Sequence, residues 1–141
     1  MTQTAVLSTT TATSTLSPVA ISGNVIATGD AGAVSDGQTA AGNLHVFVKP
    51  VGGWTNGTQT AILTASDAAI GSGLGFSVSI RGNTIVGGAF DAAINGDPGS
   101  GALYVYRKPA TGWQSMTESS KLDFPAAIAG VSGGPSQFRE T

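Results

Sequence analysis

Short apolar runs broken by glycine, asparagine or proline recur along most of the chain. Leu44-His45-Val46-Phe47-Val48 and Leu103-Tyr104-Val105-Tyr106 are apolar or aromatic at successive positions, the pattern of strands covered on both faces rather than wetted on one. Gly23-Asn24 and Gly82-Asn83 are two-residue hairpin signals, because both residue types tolerate positive φ at low cost. Lys49-Pro50 and Lys108-Pro109 end the strands before them, since proline has no N–H for a ladder. These signals predict eight strands in two sets of four. The first set falls near residues 17–22, 24–28, 43–48 and 58–64, and the second near 76–81, 84–88, 102–107 and 117–123.

The two sets are copies of one another. Gly23 recurs as Gly82 and Trp54 as Trp113, a shift of 59 in both cases, and residues 19–63 laid on 78–122 without a gap agree at 17 of 45 positions. A fixed period of this length marks a repeat architecture. Sheets that need cover on both faces are satisfied when small four-stranded sheets stack around an axis. The expected fold class is therefore all-β: two four-stranded antiparallel blades of a β-propeller, a partial one. A further partial copy opens the chain, where Thr4-Ala5-Val6-Leu7-Ser8 resembles Thr60-Ala61-Ile62-Leu63-Thr64. The expected organisation is an N-terminal segment (1–15) holding the last strand of a preceding blade, a first blade (16–74), a second blade (75–123) and a Gly/Pro/Ser-rich tail (124–141).

Composition narrows the function classes. Of 141 residues, 40% are apolar, enough for a packed core, while only 10% are charged against about 25% in an average soluble domain. The 21 glycines, with many Thr, Ser and Ala, suit tight turns better than long helices. Six scattered Lys and Arg and a net charge of −2 argue against nucleic acid, which needs clustered positive charge. The absence of cysteine excludes disulfides, thiolate metal sites and a cysteine nucleophile. The early uncharged stretch has no apolar run of signal-peptide or membrane-helix length, so membrane insertion is not expected.

The motifs resemble those of the FG-GAP repeat family, which includes bacterial multi-copy repeats and, more distantly, the integrin α-chain propeller. The resemblance rests on Leu74-Gly75-Phe76-Ser77-Val78-Ser79-Ile80-Arg81-Gly82-Asn83-Thr84-Ile85-Val86-Gly87-Gly88-Ala89-Phe90, then Gly101-Ala102-Leu103-Tyr104-Val105-Tyr106 and Gly112-Trp113. The joining Leu63-Thr64-Ala65-Ser66-Asp67 fits the family pattern letter for letter. Leu74 stands where the family has Phe and Phe90 where it has Pro; the first copy departs further, with Thr15-Leu16 and Gly29-Asp30-Ala31 there. The resemblance implies a non-catalytic propeller module for protein binding or adhesion, extracellular or at the cell surface.

Candidate chemistry is sparse. The loop 91–97 offers Asp91, Asn95 and Asp97 as oxygen ligands for Ca²⁺, although the same residues beside Gly and Pro are ordinary turn formers. The matching loop of the first copy keeps only Asp36-Gly37. Trp54 and Trp113 are candidate ligand-binding platforms for sugars, or indoles that plug the gap between blades. His45, the one histidine, has Tyr104 as its counterpart, which suggests packing rather than a catalytic base. Asp67 is expected to hold a loop through backbone amides, and Asn56-Gly57-Thr58 is a glycosylation sequon. No catalytic constellation and no required cofactor emerge, so the chain is expected not to be an enzyme. Two blades cannot close a ring, which calls for a longer chain, self-assembly through exposed blade faces or a protein partner. The rival readings are a lectin-like oligomer binding glycans and an accessory domain of a larger extracellular enzyme.

Overall fold

The computed structural model describes residues 4–10, 18–92, 101–123 and 139–140, and among them there is no helix. The strands are β1 (Leu7–Ser8), β2 (Val19–Ser22), β3 (Val25–Asp30), β4 (Asn43–Val48), β5 (Gly57–Thr58), β6 (Ala61–Thr64), β7 (Leu74–Arg81), β8 (Thr84–Ala89), β9 (Ala102–Arg107), β10 (Met116–Thr117), β11 (Ser120–Asp123) and β12 (Arg139–Glu140). The first sheet runs β10-β6-β4-β3-β2, the second β12-β11-β9-β8-β7, and β1 pairs with β5 alone. The fold is all-β, and four consecutive antiparallel strands of one repeat form most of each large sheet.

The hairpins follow the local chemistry. Gly23 and Gly82 take φ of +56° and +55°, while the asparagines after them stay at negative φ. That is the pattern of a type II′ turn, in which only the first loop residue needs glycine's freedom. Strands β4 and β9 both stop one residue before Lys-Pro. The Asp36-Gly37 pair has φ of 51° and 74° and closes a tight turn in which Ser35 and Gln38 exchange backbone hydrogen bonds.

The expected fourth strand of each repeat is split in two. In the first repeat β5 pairs in parallel with β1, and β6 then returns to pair with β4. In the second, β10 pairs in parallel with β6 and β11 returns to β9. The switch is made at a hydroxyl residue. Thr60 donates its amide to Val46 O, and its hydroxyl accepts from Val48 N at 3.0 Å. Ser119 does the same with Val105 O and Arg107 N. Each repeat thus lends a two-residue strand to the layer before it, and the first large sheet gains its fifth strand, β10, in this way. In the second sheet the fifth place is taken by β12, whose partners Leu122 and Asp123 match the β6 residues Leu63 and Thr64 that hold β10.

Side chains clamp both ends of these lent strands. Asn56 Oδ1 accepts from Val6 N at 2.8 Å and Gln59 Oε1 from Thr10 N at 3.1 Å. The equivalent Ser115 Oγ accepts from Ile62 N at 3.0 Å, and Glu118 takes both Ser66 N at 2.8 Å and Ser66 Oγ at 2.6 Å. The core lies between the two large sheets, where Leu44, Val46 and Leu63 of the first meet Ile85, Tyr104 and Tyr106 of the second. The backbones approach closely at one crossing, where a Cβ on Gly29 would run into the backbone of Gly75.

Candidate functional site

Each sheet has two faces, and the stacking gives equivalent faces different neighbours. Leu44 points at the second sheet: a Cβ on Gly87 would lie 2.8 Å from its Cδ1. Strand alternation and pairing place Ala27, Val46, Ala61 and Leu63 on that same face, with Ala27, Leu44, Val46 and Leu63 all 0% exposed. The equivalent residues of the second sheet, Val86, Leu103, Val105 and Leu122, lie on its outward face and are half-buried. At the other end the asymmetry is mirrored. Val78 and Ile80 pack against the core, whereas their counterparts Val19 and Ile21 are 62% and 63% exposed. The second sheet's outward face and the β2 edge of the first sheet's outward face are therefore apolar surfaces whose twins inside the molecule are covered.

The inner contact is pinned by polar groups. Tyr106 donates its hydroxyl to Thr64 O at 2.8 Å, and Tyr104 donates to Asp67 Oδ1 at 2.7 Å. Lys121 Nζ donates to Asp67 Oδ2 at 2.7 Å. Asp67 thus ties the two sheets together besides bonding its own amide, a wider role than the loop-holding expected of it. Burial raises its carboxyl pKa, but the bonds from Lys121 and Tyr104 outweigh that and leave it below the usual value. Burial lowers the Lys121 pKa, and the bond to Asp67 more than offsets this, for a net rise. Burial pushes both tyrosine hydroxyls well above their ordinary value.

The candidate residues from the sequence are scattered. Trp113 is 7% exposed inside the core, which suits packing between layers and leaves little ring surface for a sugar. Its twin Trp54 is half-buried beside a groove of about 210 Å³ formed with Thr4, Ala5, Leu7 and Ile26. Asp91 lies at the end of the second sheet and donates its amide to Ser72 O. Asn95 and Asp97 lie outside the described residues. Among the described residues no three His, Cys, Asp or Glu side chains converge as a metal group. Asn56 of the sequon serves in the clamp on β1. His45 is fully buried on the first sheet's outward face, and burial lowers its pKa against the opposing pull of Asp30.

Some features carried weak sequence signals. Phe76 and Phe90, 61% and 55% exposed, form an aromatic pair with ring centroids 4.7 Å apart at 46°. Phe90 was visible as the residue replacing proline after Gly-Ala. The clamp residues Asn56, Gln59, Ser115 and Glu118 follow the repeat's spacing but change identity between copies, so motif matching passes over them.

No curated protein and no solved structure matches this chain. Residues 57–106 match the family described as FG-GAP repeat. The matched stretch begins at β5, the strand lent to the preceding layer, completes the first sheet with β6 and runs on into β9, so it straddles the interface just described. Residues 57–106, about a third of the chain, are thus similar to an FG-GAP repeat.

Proposed function

We propose that the chain is a non-catalytic binding or adhesion module, working outside the cell or at its surface, whose two sheets are successive four-stranded blades of a partial β-propeller. The observation that carries this reading is the unequal burial of equivalent faces: Leu44, Val46 and Leu63 are 0% exposed, while Leu103, Val105 and Leu122 are half-buried. Apolar surface that one copy of a repeat covers and the other leaves open favours association, because its removal from water is the main driving force. The placement at the cell surface rests on the family resemblance alone. Another sheet of the same kind, from a second copy or from a longer chain, is the occupant the repeat geometry favours for the second sheet's outward face. Sedimentation velocity across a concentration series tests this. Association that weakens in Leu103→Asp supports the reading; a single monomeric species without binding of a hydrophobic dye opposes it.

A glycan-binding reading is favoured by one specific feature, the groove beside Trp54. A half-buried indole beside threonine and aliphatic side chains is a surface against which a sugar ring can stack. A glycan array on wild type and Trp54→Ala separates the readings. Signal lost in the variant supports sugar binding, and no signal from either removes it.

A further inference from the structure

Four positions on the outward face of the first sheet break the repeat in a concerted way. Thr28 pairs across the ladder with His45, and Asp30 with Asn43, so the two pairs form a block of four neighbouring side chains on one face. The equivalent positions of the second sheet are Gly87, Tyr104, Ala89 and Ala102, paired in the same way. The first copy has therefore replaced two alanines, a glycine and a tyrosine with a carboxylate, an amide, a hydroxyl and an imidazole. Packing alone gives no reason for the exchange, since the alanines and glycine already fill this place in the second sheet.

The block is also buried. Thr28 is 6% exposed, Asn43 3%, and Asp30 and His45 both 0%. Thr28 Oγ1, Asn43 Oδ1 and both ring nitrogens of His45 have no hydrogen-bond partner within the protein. Leaving such buried groups unsatisfied is destabilising, so their retention calls for a compensating partner. The sides of the block are apolar: Ile62 lies opposite His45, and Ile26 and Phe47 follow on the same face. An apolar collar around a polar centre limits water and strengthens its electrostatics, which favours a coordinated ion there.

We infer that Thr28, Asp30, Asn43 and His45 form a binding site for a divalent first-row transition cation such as Zn²⁺. The donor set fits this class: one imidazole nitrogen, one carboxylate and two neutral oxygens. Imidazole favours zinc, nickel and copper over calcium, and a single carboxylate is too little charge for a dedicated calcium cage. Alternating residues on one strand and their partners on its neighbour lie side by side on one sheet face without any loop. None of the four residues lines the Trp54 groove, although the flanking Ile26 does.

Because His45 is the chain's one histidine, the test is direct. Metal-free protein labelled with ¹⁵N in the imidazole is titrated with ZnCl₂ and followed by long-range ¹H–¹⁵N NMR, with stoichiometry measured by calorimetry. The expected result is saturation at one Zn²⁺ per chain, with the His45 nitrogens shifting in step, and Zn²⁺ binding weakened at least about tenfold in Asp30→Asn. Tyr104→Phe, in the equivalent position of the second sheet, keeps wild-type affinity. The wild-type spectrum decides the matter even if Asp30→Asn fails to fold. Unmoved imidazole resonances at millimolar Zn²⁺ overturn the proposal, as does binding that Asp30→Asn leaves unchanged.

Discussion

Truncating one leucine of each equivalent pair separates a covered sheet face from an open one. Leu44 is 0% exposed and rests on Gly87, which has no side chain to move into a gap. Leu44→Ala removes three methylene-sized groups, about 2.4 kcal/mol of transfer free energy at roughly 0.8 kcal/mol each. A residual cavity of about 60 Å³ adds about 1.4 kcal/mol, for a total near 4 kcal/mol. For a chain of this size that is a fall in Tm of roughly 12 °C. Leu103, its twin on the outward face, is half-buried, with no sheet beyond it among the described residues; Leu103→Ala costs about 1–2 kcal/mol and leaves no closed cavity. The pairing also predicts a size swap. A Cβ at position 87 would meet Leu44 Cδ1 at 2.8 Å, so Gly87→Ala alone is destabilising. In the Leu44→Ala background that clash is gone, and the two changes couple by about 1–3 kcal/mol in the restoring direction. Urea unfolding followed by circular dichroism measures the four variants against the wild type. Equal costs at Leu44 and Leu103, or strict additivity of Leu44→Ala with Gly87→Ala, would refute the stacking described.

Three further outcomes follow from the same contacts. Glu118→Ala removes both acceptors of Ser66 and lowers stability by about 1–2 kcal/mol in chemical denaturation, discounted for partial exposure, while Glu118→Gln retains part of it. Gly29→Ala forces a side chain against the backbone of Gly75 and costs about 3 kcal/mol or more, read as a lost or strongly lowered thermal transition. On the acid side, the lowered Asp67 pKa contributes stability that is present above its unfolded value of 3.8 and lost as pH falls through the folded value. On the alkaline side, the raised values of Tyr104, Tyr106 and Lys121 contribute stability that is complete below about pH 10 and lost as pH rises through their folded values. Melts across pH 2–12 check both arms, and Asp67→Asn should flatten the acid one.

Much of the fold was legible because its signals are local. Strands β4 and β9 match expectation to the residue, since a covered apolar run ends at Lys-Pro in both copies. The hairpins at Gly23 and Gly82 were equally plain, although glycine alone supplies the positive φ there. The split of the fourth strand was not legible, because β5 and β10 are strands only through partners from another layer. Thr60 and Ser119 were its signal, two hydroxyls at matching positions just before a short apolar run. Face burial was hidden for a related reason: two copies with one pattern look alike until a neighbour covers one of them. Asp67 looked local in sequence, yet its partners Tyr104 and Lys121 lie on the next sheet. The polar block was readable in principle by comparing 28, 30, 43 and 45 with 87, 89, 102 and 104. Of these, the His45–Tyr104 exchange and Asp30 within Gly29-Asp30-Ala31 stood out only singly, since the rest are small residues without a motif.

The stacking of two equivalent sheets through unlike faces is tested most directly by methyl-edited NOE spectroscopy of the wild-type protein. The account predicts strong cross-peaks from the Leu44 methyls to the Gly87 Hα protons and from the Tyr106 ring to residues of β6. Absence of the Leu44–Gly87 peaks in a folded, well-dispersed spectrum would contradict it.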